Sequence, residues 1–146
     1  GSASYSGFAV SIITFSGFLS GISLVRIKRF FGRYSIAAAL LAVDFGFLTL
    51  SSADIFLTVA CAMVMIGLGI GFMIPTHFSL STTHMTDNPM AAKSFMTIML
   101  FLGQFLSPAL QSFIAEPDEI RLLFLRVSAS VAVFSALILI KNFKRS

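Results

Sequence analysis

The sequence predicts an all-α integral membrane protein of about five transmembrane helices. Three observations predict it. Hydrophobic residues make up 57% of the 146 residues and charged residues 11%, where a soluble domain carries about a quarter charged residues. Nearly every charge is confined to short breaks between long apolar runs, and successive breaks alternate in sign. The mean hydropathy is +0.95. A bilayer-spanning helix takes about 20 mainly apolar residues, so this length accommodates five spans with short connections. The runs are too long for the roughly 10-residue alternating strands of a membrane barrel. They are also apolar all round, unlike helices that turn one polar face to water.

The first run, Gly1 to Val25, has no charge and predicts a span over 4–25. It lacks a basic leader and exceeds the apolar core of a signal peptide. It stops at a purely basic break, Arg26, Lys28, Arg29 and Arg33, with Gly32 inside it. The second span, 34–51, holds only Asp44 and ends before Asp54. There Ser51-Ser52-Ala53-Asp54 matches a capping box for the next helix. The third span, 54–80, starts on Asp54 and continues into the uncharged run Ile55 to Met85, which leads to a mixed loop with His84, Asp87 and Lys93. The fourth, 90–115, opens on Asp87-Asn88-Pro89, cap residues followed by proline where its missing N–H costs nothing. It stops at Glu116-Pro117-Asp118-Glu119, whose acids favour the positive end of the following helix. The fifth span, 119–140, carries Arg121 and Arg126 and closes on Lys141, Lys144 and Arg145.

Basic loops stay in the cytoplasm. That rule places the Arg26–Arg33 break and the Thr83–Lys93 loop inside, and the Ser51–Asp54 and Glu116–Glu119 turns outside. The C-terminus is then cytoplasmic, in a multi-pass protein of the plasma (inner) membrane. The N-terminus falls outside, and the chain opens on Gly1-Ser2, so upstream helices are expected.

The net charge of +4 and pI near 9.7 mark membrane orientation and not nucleic acid, because no basic stretch has the length or interleaved aromatics of a nucleic-acid platform. Cys61 is single, which excludes a disulfide framework or zinc site. His77 and His84 have no carboxylate or cysteine at metal-ligand spacing. No serine has a matched base and no phosphate-binding glycine-lysine motif occurs. No catalytic residue, metal or cofactor is expected, and the chain does not read as an enzyme.

Small residues mark packing. Gly17 with Gly21, and Gly67 with Gly71, stand four apart and form smooth helix faces. Gly103 with Ser107 repeats the spacing. In lipid such faces let backbones approach closely. Gly67, Gly69 and Gly71 precede Pro75 and predict an easily bent helix, since proline frees the Gly71 carbonyl. Pro108 is expected to break the next helix similarly.

The stretch from Gly67 to Leu110 resembles the tenth and eleventh helices of the major facilitator superfamily of transporters. The resemblance rests on the order Gly67, Gly69, Gly71, Pro75, Pro89, Ala91, Ala92, Ser94, Gly103 and Pro108. Gly21 to Arg33 is similar to the family's basic loop between helices eight and nine, a degenerate copy of G-x-x-x-D-R-x-G-R. Gly32 and Arg33 match its end, while Arg29 stands at the aspartate and Val25 at the first glycine. The resemblance implies the C-terminal bundle of a transporter, helices eight to twelve, working by rocking of two bundles about a central site. It implies secondary active transport of a small organic solute or drug, proton-coupled, with the missing N-terminal half or a second chain as partner. The alternative is a small multi-span membrane subunit that regulates or scaffolds a larger complex.

Four polar residues within the spans are candidates. Asp44 sits mid-span, where a carboxylate is costly and calls for pairing or protonation. It is either a proton-coupling site or a structural pair with a neighbouring helix, Arg126 being one partner. Arg126 alternatively snorkels to the interface. His77 is a relay candidate or an interfacial histidine bonded to a loop carbonyl. Gln104 lies on the helix that lines the cavity in relatives and is the substrate-contact candidate, or else an interhelical hydrogen-bonding group. Most of the methionines and phenylalanines read as lipid contact and packing.

Overall fold

A computed structural model describes residues 2–84, 88–114 and 120–143. Among them the chain is all-helical: α1 (Ser2–Ile22), α2 (Leu24–Phe31), a 3-10 turn (Gly32–Tyr34), α3 (Ser35–Ser51), α4 (Phe56–His84), α5 (Pro89–Ile114) and α6 (Ile120–Phe143). Three helices, α4, α5 and α6, are long and apolar enough to cross a membrane, or four if α1 and α2 form one bent span. α3 is apolar but has 17 residues, about 26 Å against the roughly 30 Å of bilayer hydrocarbon. Asp87, the Glu116–Glu119 turn, Lys144 and Arg145 lie outside the described residues.

The expected boundaries need four corrections. The first run does not continue as one helix to Val25. It ends at Ile22, and α2 leaves it at 67°. The basic break is therefore helical and not an irregular loop. Its end is set by Gly32, whose φ of +52° is denied to residues with a side chain and whose N–H bonds to the Lys28 carbonyl. Second, the serines at 51 and 52 do not cap α4. Their hydroxyls donate backward to Leu48 O and Thr49 O, closing α3. Third, α4 runs through Pro75 to His84 as one helix. Fourth, α5 continues across position 108. Neighbouring turns carry a helix past one missing N–H. The Asn88-Pro89 start behaves as expected, with Asn88 Oδ1 accepting from Ala91 N–H at 3.0 Å.

α4 is the hub, packed by α1, α3 and α5, while α6 packs on α3. The contacts fix chain direction. Phe8 meets Phe56 with ring centroids 5.6 Å apart, and Ser20 donates to Leu68 O at 2.7 Å. Both numbers rise together, so α1 and α4 run parallel. Against α3 they run opposed. A Cβ on Gly46 would stand 2.5 Å from the Ile66 side chain, and one on Gly69 would stand 2.6 Å from Ala39 O. α3 and α6 are antiparallel too, through Asp44–Ser128, Phe47–Phe124 and Asp54–Arg121.

The alternating glycines divide by face. At 100° per residue, Gly67 and Gly71 share one side of α4 and Gly69 the opposite side. A Cβ at Gly71 would lie 2.2 Å from Gly17 O, and one at Gly67 would lie 2.5 Å from Ile13 O. These glycines bring α1 and α3 against α4 on two sides. The Gly17/Gly21 and Gly67/Gly71 faces pack as expected. Gly103 does not, because nothing stands within 4 Å of a Cβ built there.

Candidate functional site within the bundle

Asp44 is the carboxylate of the apolar helix α3, where α6 crosses. It is half-buried, and its Oδ1 accepts the Ser128 hydroxyl of α6. Ser128 is 6% exposed. The helix spacing that puts Ser128 toward Asp44 also stacks Phe124, one turn earlier, on Phe47 at 6.2 Å between centroids. Asp44 is thus paired across an interhelical contact. The partner seen is Ser128. A serine hydroxyl donates to a carboxylate and accepts from a carboxylic acid, so this contact persists in either protonation state.

Arg126 points the other way. Two residues before Ser128, it lies about 200° around α6 and lines a groove between α5 and α6 of about 380 Å³ with Gly103, Leu106, Ser107, Leu123 and Ser130. The open space at Gly103 belongs to this groove.

His77 is half-buried on α4 and lines a cavity of about 330 Å³ toward α5, with Met73, Met96, Met99 and Leu100. Its surroundings are methionine and aliphatic side chains. Gln104 is exposed on α5, one turn beyond Leu100 of that cavity. The structure therefore does not gather the four candidates. Asp44 lies at α3–α6, Arg126 in the α5–α6 groove, His77 between α4 and α5, and Gln104 on an exposed stretch of α5.

α5 is the loosely held element. Among the described residues its only substantial helix contact is with α4, and of its described side chains Ala92 alone is buried. Phe95, Ile98, Phe101 and Phe105 are all exposed. Two buried hydroxyls escaped the sequence reading. Thr76 and Ser135 are 2% and 1% exposed and have no hydrogen-bond partner among the described residues. Nothing in the sequence separates them from the many serines and threonines that bond back to their own helix.

At one end of the bundle Arg121, at the start of α6, pairs with Asp54 between α3 and α4. Three or more clustered histidine, cysteine, aspartate or glutamate side chains able to hold a metal do not occur among the described residues. No protein-family model, curated protein or solved structure matches the chain.

Proposed function

We propose that the chain is the C-terminal bundle of a major-facilitator-type secondary transporter, moving a small organic solute or drug by alternating access coupled to protons. The observation that carries this reading is the contrast in packing. α1, α3 and α4 meet backbone to backbone through Gly17, Gly46, Gly67, Gly69 and Gly71, whereas α5 rests on α4 across a methionine-lined cavity. A stiff block beside one loosely docked helix suits a bundle that rocks as a unit while one wall adjusts. The exposed side of α5 with Gln104, and the Arg126 groove, are where solute and the partner bundle meet it. The partner is the N-terminal half or a second chain. Asp44 is the coupling candidate, and its Ser128 contact holds α3 to α6 whether or not it carries a proton.

Supporting the orientation, Asp54 pairs with Arg121, so the C-terminal end of α3 and the start of α6 share one end of the bundle. The basic α2 lies at the opposite end of α3, and basic segments are retained in the cytoplasm, which supports a cytoplasmic C-terminus in this reading. The test is uptake of lipophilic organic cations and neutral drugs into proteoliposomes under an imposed pH gradient, with the partner half or chain supplied. Gradient-dependent flux is expected. Its absence in every reconstituted form would favour the second reading, a small multi-span subunit whose open α5 face docks on a larger complex.

A further inference from the structure

We propose that α2 is an in-plane docking site for anionic phospholipid, with Arg26, Lys28 and Arg29 holding phosphate groups while Val25 and Phe30 enter the headgroup region. The argument begins with what fails to hold α2 in place. Eight residues are too few for a helix to be stable alone, and none of the eight is buried. Beneath it, where close packing would otherwise secure it, lies an apolar cavity of about 210 Å³ lined by Ile27, Phe31, Ala38, Ala39, Ala42 and Phe72. The protein interior therefore supplies little of the stability of α2, and its 67° departure from α1 turns it out of the span direction.

Its outward face supplies the remainder. Ile27 and Phe31 turn toward the cavity. On the other side, Val25 at 74% and Phe30 at 84% exposure flank Arg26 and Arg29, which are also exposed. Apolar and cationic groups alternate on this surface, and the helix contains no acid. Water accommodates the guanidinium groups but not the exposed phenylalanine, and hydrocarbon does the reverse. The headgroup layer of an anionic membrane accommodates both. An acidic protein segment would match the charges and leave Val25 and Phe30 without a suitable environment.

The test is native mass spectrometry of the full chain released from nanodiscs containing equal phosphatidylglycerol and phosphatidylcholine of matched acyl chains. The chain is expected to retain phosphatidylglycerol preferentially. Each basic residue at an anionic surface accounts for about fivefold in affinity, so Arg26→Gln/Arg29→Gln should lose about twenty-fivefold. Phe30→Gln should weaken retention of both lipids while keeping the preference. Lys93→Gln, which removes a basic residue outside α2, should change nothing. Equal retention of the two lipids, or an unaltered preference in the double variant, would overturn the proposal. So would an equal loss in Lys93→Gln, which would make it a net-charge effect. Displacement of the lipid by glycerol phosphate would show that free phosphate suffices and would overturn the commitment to a membrane. Helicity and elution volume check folding, and Arg26→Gln alone serves if the double variant fails to fold.

Discussion

Ser128 of α6 donates its hydroxyl to the carboxylate of Asp44 on α3, one turn from the stacked pair Phe47 and Phe124. The contact joins a polar interaction to an aromatic one at a single helix crossing. Interhelical hydrogen bonds in membranes contribute about 0.6 kcal/mol on average and up to about 2. Ser128→Ala should therefore destabilise the bundle by about 1 kcal/mol in a lipid or mixed-micelle unfolding titration. Asp44→Asn, which keeps an acceptor, should cost less. If Asp44 also couples transport to protons, Asp44→Asn abolishes the pH dependence of flux without that loss of stability. A pH dependence unchanged in Asp44→Asn would reject the coupling role.

The glycine contacts make a position-specific prediction. Gly71→Ala places a carbon 2.2 Å from Gly17 O and Gly69→Ala one 2.6 Å from Ala39 O. Backbone on both sides must move, which costs about 1–3 kcal/mol each. Gly103→Ala meets nothing within 4 Å and should be neutral or slightly stabilising, since alanine is the better helix former by about 1 kcal/mol. Equal effects at all three positions would contradict the division of packing described above.

Thr76 and Ser135 should respond in the opposite sense to Ser128. Their buried hydroxyls lack partners among the described residues, and removing an unsatisfied polar group is neutral or favourable. Thr76→Val and Ser135→Ala are expected to hold or raise unfolding stability. A loss of more than about 1 kcal/mol in either would mean that the hydroxyl has a partner in the membrane.

The Asp54–Arg121 pair tests the antiparallel register of α3 and α6. Its side chains are 71% and 63% exposed, so the pair contributes at most about 1 kcal/mol, less at high salt. Cysteines placed at 54 and 121 in a Cys61→Ser background should cross-link readily. Cysteines at 36 and 121 should not.

Gly32 separates α2 from the turn into α3 at a φ of +52°. Gly32→Ala should cost about 1–2 kcal/mol through the forced positive φ, although a Cβ there meets nothing within 4 Å. Loss of amide protection confined to α2 and the following turn, read by hydrogen exchange, is the expected signature.

The helical class was legible because each apolar run carries its own signal. A segment that buries its backbone polar groups in lipid has to satisfy them internally, whatever its neighbours do. Four of the five runs keep their limits to within a few residues. The Asn88 cap was legible for the same reason, as both partners lie within one turn. The Ser51–Asp54 capping box misled because the same four residues have two uses. Ser51 and Ser52 close the preceding helix, and Asp54 meets an arginine 67 residues away.

By itself, then, the sequence determined the helical class, the approximate limits of the apolar runs and the glycine positions at which backbones approach. These are properties of hydropathy and side-chain volume, and both are local. Tertiary structure decided which side of α4 each glycine serves, that Asp44 bonds Ser128 while Arg126 lines a separate groove, and that the basic break is a helix lying across the end of the bundle. Those outcomes depend on rotation and register between helices. Periodicity along one helix specifies neither until a second helix packs against it.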